Sequence, residues 1–187
     1  WRRAKAGAPD TLYAVRAADL LHPEDPVPGL PQFVPSFSPP AEIARLAPPE
    51  QLRQLARRAQ NGGPQAKILY GLALQRLGRP LSARRELEAA AALAPGNAEA
   101  QTAAAVALFD KDRPQQAFAR LGPLSRAFPK AATVRFHLGL LLLWLGRVEE
   151  ARRQFRLAQA VEPGSPLARE AGRFLTQLRG VGSPRGR

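Results

Sequence analysis

The chain has 187 residues, a formal net charge of +13, no cysteine and no methionine. The length suits one sizeable domain with an extension, and the lack of cysteine excludes disulfides and thiolate metal sites. The longest apolar run, residues 138–145, is much shorter than the ~20 residues of a membrane span. The positive charge favours acidic partners in general, and the Ala, Arg and Pro bias is typical of a GC-rich bacterial genome.

Residues 1–5 read WRRAK, an aromatic residue followed by basic ones. Such a sequence flanks the cytoplasmic end of a membrane helix. We therefore expect a cytoplasmic protein, either free or tethered to the membrane by an upstream segment. An arbitrary chain boundary explains the same residues equally well. Residues 10–21 are compatible with a short helix or with an extended arm.

A proline-rich stretch follows at residues 22–49 and holds nine of the nineteen prolines. That density predicts an extended chain without regular secondary structure. The apolar side chains of Leu30, Phe33, Val34 and Phe37 are unusual for a linker. We expect residues 30–37 to dock on the domain that follows, in its groove or on its outside, or on a neighbouring copy.

From residue 64 onward the sequence repeats with a constant period of 34 residues. Each copy reads as two helices joined by a turn, and residues 134–145 form a helix that is apolar almost all round and must be covered on every side. The repeat relates three prolines, three alanines and three turn arginines: Pro95, Pro129 and Pro163; Ala83, Ala117 and Ala151; Arg79, Arg113 and Arg147. Three copies without a gap indicate stacked helical hairpins.

The pattern resembles the tetratricopeptide repeat, which has Leu-Gly in its first helix, Ala and an aromatic residue in its second, and a closing proline. The last copy matches best, through Leu138-Gly139, Ala151, Phe155 and Pro163. The resemblance covers residues 64–165, a little over half of the chain.

The middle copy departs most from this pattern. Ala104-Ala105 replaces the Leu-Gly pair, and Asp112 stands where a turn glycine is expected. Its first helix is predicted over residues 98–110. Small residues in every copy should let the two helices approach closely: Gly71, Ala105 and Gly139 opposite Ala83, Ala117 and Ala151.

The resemblance implies an all-α, right-handed superhelix (an α–α solenoid) with capping helices and an extended proline-rich N-terminal arm. The expected boundaries are 1–47 for the basic start and the arm, 48–63 for an N-terminal packing helix, 64–97, 98–131 and 132–165 for the three repeats, 166–179 for a C-terminal capping helix, and 180–187 for a disordered tail. Stacked repeats need such caps because each hairpin leaves an apolar face open.

In this family the first helix of each hairpin lines a concave groove, which implies a site for a helix or extended segment of another protein. The matching positions are mostly apolar here, so a partner is expected to cover them. They are Ile68, Leu69, Leu72, Arg76, Val106, Phe109, Phe136, His137, Leu140, Leu143 and Trp144. The resemblance thus implies an assembly or adaptor scaffold whose partner the sequence does not name.

A second interpretation rests on the arginines of the second helices: Arg84, Arg85, Arg152, Arg153 and Arg156. They predict a basic surface for nucleic acid or an anionic membrane. Nucleic acid is disfavoured because aromatic residues are not interleaved with these arginines, while a membrane role stays open. Salt separates the two interpretations, because phosphate binding weakens by orders of magnitude as salt rises and groove binding does not.

No residue pattern indicates catalysis. The two histidines, His22 and His137, lack a metal-ligand spacing, and the sequence has no glycine-rich phosphate loop. Glu149 and Glu150 are adjacent at a helix start, where carboxylates favour the helix dipole. We therefore expect no enzyme activity, no metal and no cofactor.

Overall fold

The computed structural model describes residues 31–110 and 112–178. Regular structure in those two ranges is entirely helical, which confirms the predicted all-α class. The nine helices found there are α1 (Ala41–Ala44), α2 (Pro48–Asn61), α3 (Pro64–Arg76), α4 (Pro80–Leu93), α5 (Ala98–Val106), α6 (Gln115–Ala127), α7 (Ala132–Trp144), α8 (Val148–Val161) and α9 (Pro166–Gln177). The basic start at 1–5, the short helix or arm at 10–21 and the tail at 180–187 lie outside the described residues.

The helices form a stack of hairpins. Helices α3, α5, α7 and α9 begin at residues 64, 98, 132 and 166, each one repeat period after the last. Every helix packs against the next along the chain, and the first helices of successive hairpins also contact one another, α3 with α5, α5 with α7 and α7 with α9. This consecutive packing is that of a helical solenoid. The right-handed turn of the superhelix stays a prediction.

Helix α7 lies at the centre of the core because it is apolar on every side. Its residues Val134, Leu138 and Leu141 pack with α5 and α6. Its residues Phe136 and Leu142 pack with α8 and α9. The hairpin partner α8 covers only one of these faces, so α7 is buried by the stacking of neighbouring hairpins.

Two glycines let the helices of the outer hairpins approach closely. A Cβ atom on Gly71 would lie 2.9 Å from Cγ of Leu87, and one on Gly139 would lie 2.6 Å from Cε1 of Phe155. The sequence predicts Ala151 opposite Gly139, but the nearest side chain is the aromatic ring one turn further along α8. The glycine therefore makes room for a flat ring, and Ala151 is buried beside it.

The middle hairpin differs from the others at its turn. Gly78 and Gly146 close the outer turns with φ angles of 69° and 75°, in the left-handed region that favours glycine. The equivalent residue is Asp112, whose amide instead donates to Oδ1 of Asp110 at 2.8 Å. Helix α5 ends at Val106, so the predicted helix over 98–110 is too long.

The proline-rich stretch contains one turn of helix, so the prediction of no regular structure there is wrong. Pro40 is the N-cap of α1, and its carbonyl oxygen accepts the amide hydrogens of Ile43 and Ala44, each at 2.9 Å. Ile43 anchors α1, since it is 2% exposed and packs with Leu55 of α2 and Ala73 of α3. Burial of Ile43 stabilises this helical turn, although the proline-rich composition of the stretch disfavours a helix.

Helix α9 covers the C-terminal end of the stack of hairpins. The Ser165 hydroxyl oxygen accepts the amide hydrogen of Ala168 at 3.1 Å and caps the helix. Leu167 and Ala171 are buried against α7 and α8, and the ring of Phe174 stacks on Phe155 with the centroids 5.1 Å apart. The last hairpin therefore does not leave its apolar face open.

We expect Gly139→Ala to destabilise the protein by about 1–3 kcal/mol, because the new methyl group meets a buried ring that has no space to move. Gly71→Ala should also destabilise the protein, since its Cβ position lies 2.9 Å from the buried side chain of Leu87. Gly96→Ala is the matched control: nothing lies within 4 Å of its Cβ position. Denaturant unfolding measures all three, and equal stabilities would contradict this account of the hairpin contact.

Candidate peptide-binding groove

Residues of the proline-rich arm lie against the first helices of the hairpins. Phe33 is 3% exposed and belongs to a buried cluster supplied mainly by α3, α4 and α5. Phe37 packs against the same cluster, and Val34 packs against the core between α7, α8 and α9. We call residues 33–37 the arm segment. The arm site is the set of residues that receive it: Ile68, Leu72, Glu99, Ala103, Val106 and His137.

The imidazole of His137 joins the arm segment to α7. Its Nδ1 lies 2.6 Å from the carbonyl oxygen of Thr133, and because a carbonyl only accepts, Nδ1 carries the proton. Nε2 is then an acceptor, and the backbone amide of Val34 donates to it at 2.9 Å. The ring of Phe33 stacks on the same imidazole with centroids 4.6 Å apart and planes inclined by 16°.

Burial keeps His137 neutral. The side chain is fully buried, and this burial lowers its pKa from 6.5 to about 4, although the hydrogen bond to Thr133 acts in the opposite direction. A protonated ring would carry hydrogen on both nitrogens and could not accept the Val34 amide. The arm contact therefore requires the neutral ring.

Ser36 makes the second polar contact of the arm segment. Its amide donates to Oε1 of Glu99 at 2.5 Å, and its hydroxyl donates to Oε2 of the same carboxylate at 2.5 Å. Glu99 lies in the first turn of α5, next to the Asn97 cap whose Oδ1 accepts the Ala100 amide. An ionised carboxylate accepts both hydrogen bonds, so this contact recognises two donors on one residue.

Residues 33–43 cross the first helices of the three hairpins in the order α7, α5, α3. Val34 meets α7 through His137, Ser36 meets α5 through Glu99, and Ile43 of α1 packs on α3 through Ala73. The direction runs from the last hairpin to the first. Residues 33–43 thus run along the first helices of the hairpins, the helices on which the family resemblance predicts a groove.

Four of the predicted groove residues belong to the arm site: Ile68, Leu72, Val106 and His137. Two others are placed differently. Phe136 is fully buried, with its ring packed among those of Phe155 and Phe174, so it is a core residue and not a groove wall. Leu69 is half-buried and packs against the cluster of Ile43, Leu55 and Ala73, which joins α1, α2 and α3. Helical periodicity places these residues on a face but does not tell which neighbour covers it.

The remaining predicted residues lie around the C-terminal ends of the first helices. Leu140 and Leu143 are half-buried against the α7–α9 core, and Arg76 is exposed at the end of α3. Phe109 lies beyond the end of α5, and its ring meets Trp144 edge-on at 5.0 Å. The role of these five residues as a binding surface stays a prediction.

Sequence reasoning missed Glu99. The signal was available, because Glu99, Ala103 and Val106 are spaced i, i+4 and i+7 and therefore share one face of α5. A carboxylate on an otherwise apolar inner face is a candidate contact for a partner. The family positions used to predict the groove begin one helical turn after Glu99 and therefore do not include it.

The predicted basic surface is smaller than expected. The side chain of Arg152 is 15% exposed; it pairs with Glu149 and donates to the carbonyl oxygen of Leu178. Its assignment to an exposed basic face is wrong, because it ties α8 to the end of α9. The structure gives this arginine a packing role.

The other four arginines of that set are exposed. Arg84 and Arg85 pair with glutamates on their own helix at 2.9 and 3.8 Å, which offsets part of their charge. Arg153 and Arg156 are exposed on α8. Binding of nucleic acid or an anionic membrane by this surface stays a prediction.

Residues 31–110 and 112–178 contain neither a membrane-spanning helix nor a cluster of metal ligands. No helix in those ranges is long and apolar enough to cross a bilayer. No three His, Cys, Asp or Glu side chains there come together as ligands for a metal ion.

No protein-family model matches the chain, and no curated protein matches it. Among solved structures, it is similar to MamA AMB-1, with 24% identity over 70% of this chain and 73% of that one and a TM-score of 0.43. It is also similar to MamA MSR-1, with 25% identity over 70% of this chain and 77% of that one and a TM-score of 0.43. Similarity of this degree assigns neither a family nor a function, so function has to be argued from the residues of this chain.

We expect the protein to lose about 2 kcal/mol of unfolding free energy between pH 7 and pH 5 through His137 alone. The pKa of this residue is about 4 in the native state and 6.5 ordinarily. The unfolded chain therefore takes up the proton first as the pH falls below 6.5. The contribution is fully present above that range and lost progressively towards pH 4. Denaturant unfolding at the two pH values measures it.

His137→Gln is the test variant, because its amide oxygen can still accept the Val34 amide but does not titrate. The control is His22→Gln, which leaves His137 as the one imidazole of a chain with two histidines. The pH dependence should persist in the control and shrink in His137→Gln. Equal pH dependence in both variants would show that His137 is not the titrating group.

Proposed function

We propose that the protein is a non-catalytic binding scaffold of the tetratricopeptide type, whose inner wall holds an extended segment of another protein. The observation that carries this proposal is the double contact on His137. One imidazole stacks on Phe33 and accepts the amide of Val34. An aromatic anchor in a buried site together with a main-chain hydrogen bond is a common way to hold an extended peptide.

The stacked hairpins support the same proposal. Binding surfaces of solenoids lie along the inner side, where residues from several repeats face one segment. Here α3, α5 and α7 all contribute to the arm site. A segment that binds along this wall contacts residues from three hairpins at the same time.

In this proposal the arm segment is a built-in competitor. It is joined to α1 by residues 38–40 alone, so its local concentration at the arm site is on the order of millimolar, as for short tethers. An outside segment has to displace it. The chain then binds its partner weakly at rest and more tightly when the arm segment is released.

Phe33→Ala should release the arm segment while the helical array stays folded, because Phe33 provides its most buried contact. Native-state hydrogen exchange at the amides of Val34 and Ser36 measures the release, since both amides are hydrogen-bonded to side chains of the array. Gln32→Ala, at an exposed neighbour, is the control and should leave both amides protected. Unchanged protection in Phe33→Ala would contradict the anchoring role.

The binding function is tested with a labelled peptide of residues 31–38, added to the full-length protein and followed by fluorescence anisotropy. We expect the Phe33→Ala protein to bind this peptide at least about tenfold more tightly than the parent protein, because the competitor is weakened. A scrambled peptide should bind neither protein. If neither protein binds the parent peptide, the proposed function is wrong.

Salt dependence and a surface variant provide further controls. Binding at the arm site should change little between low and moderate salt, whereas contacts with the exposed arginines would weaken strongly. Replacing Arg153 and Arg156 by Ala, both exposed on α8, should leave the affinity for the peptide unchanged. Loss of binding in that variant would move the site to the basic surface.

A further inference from the structure

Each position of the arm segment meets a different chemical requirement, and together these requirements describe the partner. The first position has to fill a buried space between the imidazole of His137 and the cluster around Ile68, Leu72 and Val106. Phe33 does so with 3% exposure. A flat aromatic ring suits this space because it stacks on the imidazole at 4.6 Å.

The second position has to supply a backbone amide. Nε2 of His137 has no hydrogen of its own in the observed arrangement, since Nδ1 donates to Thr133, and it accepts the amide of Val34. Proline has no amide hydrogen and is excluded here. The side chain at this position packs on the apolar core of α7, α8 and α9, which favours an aliphatic residue.

The third position does not have to donate a backbone hydrogen bond. Residue 35 is a proline, which has no amide hydrogen to give, and it is half-buried. A proline between the two donating residues keeps the chain extended and lowers the entropy lost on docking. Other residues are tolerated here because no side chain of the array depends on this position for a donor.

The fourth position faces Glu99 with both its amide and its hydroxyl. A serine or threonine satisfies both carboxylate oxygens. An aspartate, a glutamate or a phosphorylated serine would bring a second negative charge next to the half-buried carboxylate of Glu99. Glu99 therefore selects against acidic residues, although the net charge of the chain, +13, favours acidic partners elsewhere on its surface.

From these four positions we propose that the partner carries an extended, unphosphorylated segment of the pattern Phe, aliphatic, any residue, Ser or Thr, which takes the place of the arm segment, with Glu99 as the residue that excludes acids at the fourth position. This inference rests on the proposed function and makes it specific. The partner is a protein or peptide with such a segment in a non-helical, proline-tolerant stretch, and not an acidic or phosphorylated one.

The test uses full-length Phe33→Ala protein and labelled peptides of residues 31–38. Phe33→Ala, Val34→Pro and Ser36→Asp in the peptide should each weaken binding at least about tenfold, since each removes one requirement. A peptide phosphorylated at Ser36 should weaken binding as Ser36→Asp does. Pro35→Ala is the matched control and should stay within about threefold of the parent peptide.

A charge exchange separates specificity from simple disruption. Glu99→Lys in the protein should bind the Ser36→Asp peptide better than the parent peptide, which reverses the preference. Equal binding of the Ser36→Asp and parent peptides to the Phe33→Ala protein would overturn the inference while leaving the proposed function intact. Failure of every peptide, the parent included, would instead overturn the proposed function.

A second form of the test, within one chain and without added peptide, does not depend on the Phe33→Ala protein being well folded. Ser36→Asp in the otherwise unchanged full-length chain should expose the amide of Val34 to hydrogen exchange, and adding Glu99→Lys should restore its protection. Gln32→Asp is the control for an added charge at an exposed position. Full protection in the Ser36→Asp protein, or no recovery in the double variant, would contradict the role given to Glu99.

Discussion

The hydrogen bond between His137 and Val34 connects the core of the protein to its arm. Helix α7 is the most buried helix of the array, and it carries a polar ring at a position with no exposure. Leaving a buried acceptor without a donor costs about 1–3 kcal/mol. The carbonyl of Thr133 satisfies one nitrogen, and the backbone amide of Val34, from outside the helix, satisfies the other. The arm segment provides that donor, so the burial of α7 and the course of the arm are coupled.

Much of the fold was predictable because it follows from a period. The starts of α3, α5, α7 and α9 fall one repeat apart, and the apolar surface of α7 requires neighbours on all sides. The errors arise where a local feature overrides the period. Asp112 in place of glycine goes with an early end of α5, and the burial of Ile43 adds a helical turn to a proline-rich stretch. Neither effect can be predicted from the repeat period of the sequence.

The candidate site was only partly predictable. Family positions identified Ile68, Leu72, Val106 and His137, because the inner face of a repeat is fixed by helix geometry. They did not separate a wall residue from a core residue, and Phe136 is core because α9 covers it. They also passed over Glu99, whose importance depends on what lies opposite. A polar contact has two partners, and the sequence pattern of one helix contains only one of them.

The arm is held to the array at two separate anchors, Phe33 and Ile43. Ile43 packs in a cluster with α2 and α3, and Phe33 packs in a different cluster with α3, α4 and α5. Residues 38–40 connect the two anchors and include two prolines, which favour an extended connection. Because the two anchors lie in different clusters, we expect release of residues 33–37 to leave α1 folded. In the proposed function a partner that matches the arm segment would therefore compete with residues 33–37 alone, and α1 and α2 would stay packed on α3.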